Sequence, residues 1–112
     1  MRITQRTCRD AIVIEMVGDF IYESRKEFTS AIDTVKQSSA RHVMLDFSKV
    51  TFVDSAAIGL LALAAQQFKT PNRKLSLVSP QGSVKQILEL SNISKVLSVF
   101  PSEAAATSGK AA

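Results

Sequence analysis

The apolar positions change period along this chain, and each change predicts an element. Between Ala11 and Val17, Ile12, Ile14 and Met16 alternate with Val13, Glu15 and Val17, the two-residue period of a strand. Ile3 to Cys8 carries a weaker version, with Ile3, Gln5 and Thr7 on one face. Arg9-Asp10 between them reads as a tight turn, so the first two strands are expected to pair as an antiparallel hairpin. Gly18-Asp19 is expected to end the second strand. From about Tyr22 to Gln37 the period lengthens, and Phe28, Ala31, Ile32 and Val35 fall on one helical stripe. Glu23, Arg25, Lys26, Asp33 and Lys36 point elsewhere, as on a helix with one side in water. Ser38 to Arg41 is a short connection.

The next unit is more apolar. His42 to Phe47 predicts a strand in which Val43, Leu45 and Phe47 are in phase and Met44 faces a covered side too, as in a central strand. A turn is expected at Ser48-Lys49, with extended structure resuming over Val50 to Val53. A helix from Ser55 to about Phe68 is apolar nearly all round, so it should be buried on most sides, and any exposed flank is a docking surface. Pro71-Asn72 stops it. Lys74 to Ser79 predicts a third core strand. Ser79 and Pro80 then have the chemistry of an N-cap and first position for a helix to about Leu90, with Val84, Ile87 and Leu88 inward and Asn92 as its stop. Val96 to Phe100 is expected to be the last strand. Pro101 breaks it, Ser102 to Ala106 is a short helical end, and 107–112 is a patternless tail expected to be mobile.

Strands alternating with helices require crossover connections and a largely parallel α/β sheet, which the opening hairpin makes mixed. The 112 residues suit one domain, residues 1–106 with the tail beyond, and no internal repeat is present. A domain this size buries about two thirds of its unfolded surface, so neither disulfides nor metals are needed to hold it. The one cysteine, Cys8, is expected to be structural, as in a reducing cytosol, and no Cys/His cluster has metal-ligand spacing. No apolar leader follows Arg2, and the longest apolar run, Ile58 to Ala65, is far below the ~20 residues of a membrane span, so a cytoplasmic protein without membrane insertion is expected. The net charge of +4 is concentrated after Lys69, where Lys69, Arg73, Lys74, Lys85, Lys95 and Lys110 face only Glu89 and Glu103. These cations are scattered and lack interleaved aromatics, so solvated surface is expected rather than a nucleic-acid site. They form a mildly basic face that helps steer an acidic partner.

The chemistry gathers at Val50-Thr51-Phe52-Val53-Asp54-Ser55-Ala56-Ala57-Ile58-Gly59. An apolar strand meets an Asp-Ser pair, and a helix follows at once. Asp54 and Ser55 are both favoured N-cap residues, and one reading gives them no role beyond that cap. The other reading uses the free N–H groups and positive dipole end of the helix, which tolerate a phosphate on the Ser55 hydroxyl. The pair also follows an expected parallel strand, at the end where open α/β sheets bind partners. Catalysis fits poorly. His42 is the only histidine available as a base, and the glycines of a hydrolase nucleophile elbow are replaced by Val53 and Ala57. Gly18, Gly59, Gly82 and Gly109 are too scattered for a nucleotide loop. No catalytic residue, cofactor or metal is assigned.

The run from His42 to Leu61, an apolar strand, Asp46-Phe47, Val50 to Ser55, then two small residues and Ile58-Gly59-Leu60-Leu61, resembles the central signature of STAS domains. Within that family it is most similar to bacterial anti-sigma factor antagonists, from Ile12 to about Ala105. Val17-Gly18-Asp19-Phe20 resembles the family's Gly-x-Leu segment, and Lys74 to Ser79 with its helix matches the later strand-helix unit. The resemblance implies a STAS-like single domain, a mixed central sheet with about four helices mainly on one face. It implies phosphorylation of Ser55 by an anti-sigma factor that is itself a serine kinase of GHKL type, bound only by the unphosphorylated form. A PP2C-like phosphatase reverses the step. Asp54 positions the loop, and Asp19, Phe20, Asp54, Ser55, Ala56 and Ala57 are the expected partner-contact residues. The alternative within the resemblance is a non-catalytic STAS subunit of an ABC transporter for lipid trafficking or of another signalling complex. Two positions depart from the family pattern. Ala57 replaces a usual glycine, and Ile21 replaces the acidic residue several relatives carry there.

Overall fold

Five strands form one sheet in sequence order: β1 (Arg2–Cys8), β2 (Ala11–Phe20), β3 (His42–Val53), β4 (Lys74–Val78) and β5 (Ser98–Phe100). The computed structural model describes residues 1–8, 11–68 and 73–108. The Arg9-Asp10 turn, the Cys8 side chain, the Pro71-Asn72 stop and residues 109–112 of the tail lie outside the described residues. β1 pairs antiparallel with β2, and every later pairing is parallel. The crossovers carry α1 (Arg25–Lys36), α2 (Ser55–Gln67) and α3 (Gly82–Leu90), and α4 (Glu103–Ser108) follows β5. The expected mixed α/β sheet is therefore present.

Four boundaries differ from the sequence reading. β2 does not stop at Gly18-Asp19, and β3 does not turn at Ser48-Lys49. The two strands keep pairing to Phe20 and Val53, through register shifts at Glu15/Val17 and Gly18/Asp19 where β3 carries an extra residue each time. Gly18 takes φ +106° there, which a side chain rarely adopts. Helix α3 is capped by Gln81 rather than Ser79. Ser79 sits at φ 59° and donates its N–H to the Phe100 carbonyl at 3.0 Å, so it closes β4 onto the end of β5 and starts no helix. The last strand begins at Ser98 rather than Val96, after a 3-10 turn over Ile93–Lys95.

The main core lies between one sheet face and α1–α3: Ile14, Met16, Leu45, Phe47 and Leu77 from the strands meet Phe28, Ile32, Ala57, Leu61, Val84 and Leu88. Phe20 is its aromatic centre, with ring centroids 4.9 Å from Phe28 and 6.0 Å from Phe47. The opposite face carries a smaller cluster of Val13, Met44, Val78 and Phe100, closed by Ala106 of α4. Arg6 fastens that helix through Glu103 and reaches Glu15 at 3.6 Å. Arg73, counted above with the solvated cations, donates to the carbonyls of Val35, Lys36 and Ala40 at 2.6, 2.7 and 3.1 Å. It thereby satisfies the free end of α1, where a cation also matches the dipole. All four parallel strands end at the same edge of the sheet, and the Asp54-Ser55 pair leaves β3 there.

Candidate functional site

Asp54 is the hinge of the site. Its backbone is extended and its side chain caps α2, Oδ1 accepting the Ala57 N–H at 2.8 Å. Its Oδ2 accepts the N–H of Tyr22 at 3.0 Å. Tyr22 opens a 3-10 turn, Tyr22–Ser24, that leads into α1. Both oxygens are thus filled by main-chain donors from two different segments. The backbone agrees: Asp54 N–H donates to the Phe20 carbonyl at 3.4 Å, and the Asp54 carbonyl accepts from Ile58 at 3.2 Å. The two N-cap candidates are now distinguished. Asp54 is the cap, and Ser55 is the first helical residue, exposed to solvent.

The flanking turn is built with equal economy. The hydroxyl of Ser24, a buried residue, donates to the Asp19 carbonyl at 3.0 Å, and the Ile21 N–H reaches the same hydroxyl at 3.4 Å. The exposed Asp19 carboxylate accepts the Thr51 hydroxyl at 2.7 Å. Ile21, the departure noted in the sequence, is half-buried in this turn. Arg25 closes it from outside, donating to the Tyr22 carbonyl at 3.2 Å with its guanidinium 4.0 Å over the Tyr22 ring.

Of the six expected contact residues, Asp19 and Ser55 are exposed, and Asp54 and Ala56 are half-buried. Phe20 and Ala57 must be corrected, since both are 0% exposed and belong to the core. The methyl of Ala57 fills space beneath the helix and faces no visitor. Two aromatics of these segments are exposed instead: Tyr22, 52% exposed, and Phe52, 47% exposed. Strict alternation from the buried Val50 puts Phe52 inside, but the bulge between Gly18 and Asp19 turns it out. Periodicity could not show that. Along α2, Ser55, Gly59 and Leu63, four apart, form an exposed line, Gln66 and Gln67 are exposed at its end, and the helix carries no charged residue from end to end. The exposed flank of α2 thus continues outward from Ser55.

The chemistry of the site is that of a surface. A cavity of about 460 Å³ lined by Thr7, Ile12, Ser39 and Arg41 includes none of these residues. His42 starts β3, at the far end from Ser55, and its Nε2 lies 2.9 Å from the hydroxyl of the buried Ser76. Burial, and then the charge of Lys74, hold its imidazole below the ordinary value. It is not a base for Ser55.

A family model described as STAS domain matches residues 2–106. A curated relative, a STAS-domain containing protein of Pseudomonas aeruginosa (strain UCBPP-PA14), is 27% identical over 88 residues, 79% of this chain and 86% of that protein. Among solved structures, an anti-sigma factor antagonist from Mycobacterium paratuberculosis superposes with a TM-score of 0.87 at 17% identity, covering 96% of this chain and 92% of the other. The anti-sigma factor antagonist SpoIIAA in its unphosphorylated form gives 0.77 at 17% identity, with 96% of each chain covered. A sulfate transporter family protein from Wolinella succinogenes also shares the fold, with a TM-score of 0.77 at 14% identity and 93% and 87% covered.

Proposed function

The chain belongs to the STAS domain family, and we propose that it is an anti-sigma factor antagonist whose binding is switched at Ser55. The observation that carries this reading is the exposed Ser55 at the first position of an uncharged helix, beside the Asp54 cap. Unphosphorylated, the surface offers Tyr22, Phe52, Gly59 and Leu63 around a small neutral hydroxyl, a face that a protein can cover at little desolvation cost. The partner is an anti-sigma factor that is also a serine kinase of GHKL type. Its transfer of phosphate adds about −1.5 to −2 charges. The free amides and dipole of α2 accommodate that charge while the protein stands alone. Within an interface it is stripped of water next to Asp54, and binding is lost. A PP2C-like phosphatase restores the docking form, and the whole cycle is cytoplasmic.

The test is the intact mass of the protein after incubation with the candidate kinase and ATP. A single phosphate is expected on the wild type and none on Ser55→Ala. The same gain on Ser55→Ala refutes the site. Affinity capture from native cells supplies the second arm, with a GHKL-type kinase as the expected partner. Recovery of an ABC ATPase, with Ser55→Ala indifferent, points instead to a transporter subunit.

A further inference from the structure

Behind Asp54 stands a cation whose charge is spent on neutral groups. Arg25 donates to the Tyr22 carbonyl at 3.2 Å and lies 4.0 Å over the Tyr22 ring. The ion pairs among the described residues are those of Arg6, and Arg25 has none. Tyr22 is meanwhile held on its N–H side by Asp54, the residue before Ser55. Tyr22 and Asp54 alone therefore link the guanidinium to the modification site. A carbonyl and a ring face are weak holders for that cation. Charge-assisted bonds from a guanidinium to phosphate are about twice as strong as neutral ones and form in a two-pronged geometry. A cation–π contact at an exposed site is a weak interaction.

We propose that Arg25 is the counter-cation of phosphorylated Ser55: it leaves Tyr22 for the phosphate, and the Tyr22 ring is uncovered. The proposal rests on Ser55 as the modified residue. Modification then alters two neighbouring patches at once. The phosphate blocks the start of α2, and the stacked Tyr22–Arg25 pair, part of the same exposed surface, comes apart. The Asp54 carboxylate beside the new dianion drives the exchange, because it makes an unneutralised phosphate costly there.

Phosphoserine is installed at position 55 during synthesis, so the experiment needs no kinase. If no kinase modifies Ser55, the proposed function fails while this test still stands. The chain has one tyrosine and no tryptophan, so its intrinsic emission reports Tyr22 alone. Phosphorus NMR titration of the phosphoprotein is expected to give a midpoint about half a pH unit lower in the wild type than in Arg25→Gln. Arg25→Lys, which keeps the charge, should recover most of that lowering and guards against a folding artefact in Arg25→Gln. Collisional quenching of Tyr22 should rise on phosphorylation of the wild type and stay unchanged in Arg25→Gln. Equal midpoints for wild type and Arg25→Gln overturn the proposal. So does a Tyr22 emission indifferent to the phosphate.

Discussion

The carboxylate of Asp54 holds Tyr22 at 3.0 Å, across 32 residues of sequence, with the same side chain that caps α2 at Ala57. One residue thus sets the start of α2 and the entry to α1, the two segments that frame Ser55. The arrangement explains how an exposed hydroxyl can be presented in a fixed position without being packed.

Asp54→Ala removes an N-cap and a clamp together. A cap alone contributes about 1 kcal/mol, and a bond from a carboxylate adds about as much, so a loss of about 2 kcal/mol is expected. Asp54→Asn keeps one acceptor oxygen and should lose about half. Urea denaturation at neutral pH measures both, as a lower midpoint with an unchanged slope. An Asp54→Ala protein as stable as the wild type contradicts the clamp.

Ser55→Asp places a fixed negative charge at the switch. Partner affinity is expected to fall about 5- to 150-fold, the usual range of such couplings, while Ser55→Ala binds as the wild type does. Titration calorimetry with the captured partner decides it. Equal affinities for the two variants argue against an electrostatic switch.

Phe20 distinguishes core from contact. It is fully buried against Phe28 and Phe47, so Phe20→Ala should cost about 3–5 kcal/mol through the cavity it leaves, and Phe20→Leu clearly less. Both outcomes are read from chemical unfolding. If Phe20→Leu folds normally yet loses the partner, Phe20 is a contact after all.

Two glycines should respond in opposite ways. A methyl group on Gly59 meets nothing within 4 Å, and the residue lies inside a helix, so Gly59→Ala should stabilise by about 0.5–1 kcal/mol. Gly18 sits at φ +106°, where the strain of a side chain outweighs any gain in the unfolded state, so Gly18→Ala should destabilise. Thermal melts of the two proteins, side by side, must move apart.

His42 predicts a pH dependence. Burial and Lys74 lower its pKa in the folded state below the ordinary value of about 6.5, so the unfolded chain binds the proton more readily. The contribution of His42 is fully present above the unfolded value and is lost as pH falls through it towards the folded one. Stability should therefore fall as the pH drops below about 6.5. His42→Gln, which can still bond to Ser76, should flatten that part of the profile. Stability curves measured by denaturant at several pH values test it, and identical slopes for the two proteins exclude His42 as the cause.

Much of the architecture was legible without coordinates, because it depends on neighbours in sequence. A switch of hydrophobic period from two to near four marks strand and helix, and the chemistry of Asp54 and Ser55 marks a helix start whatever surrounds it. The Asp-Ser pair at the end of a buried strand was accordingly found by reading along the chain. Only the tertiary structure decided which side chains the site presents. Two bulges in the β2–β3 pairing shift the register, turning Phe52 outward while Val53 stays in the core. Packing buried Phe20 and the methyl of Ala57, and a bond spanning 32 positions brought Tyr22 to Asp54. Faces and long-range clamps depend on which strands lie side by side, and residue order along the chain does not carry that information.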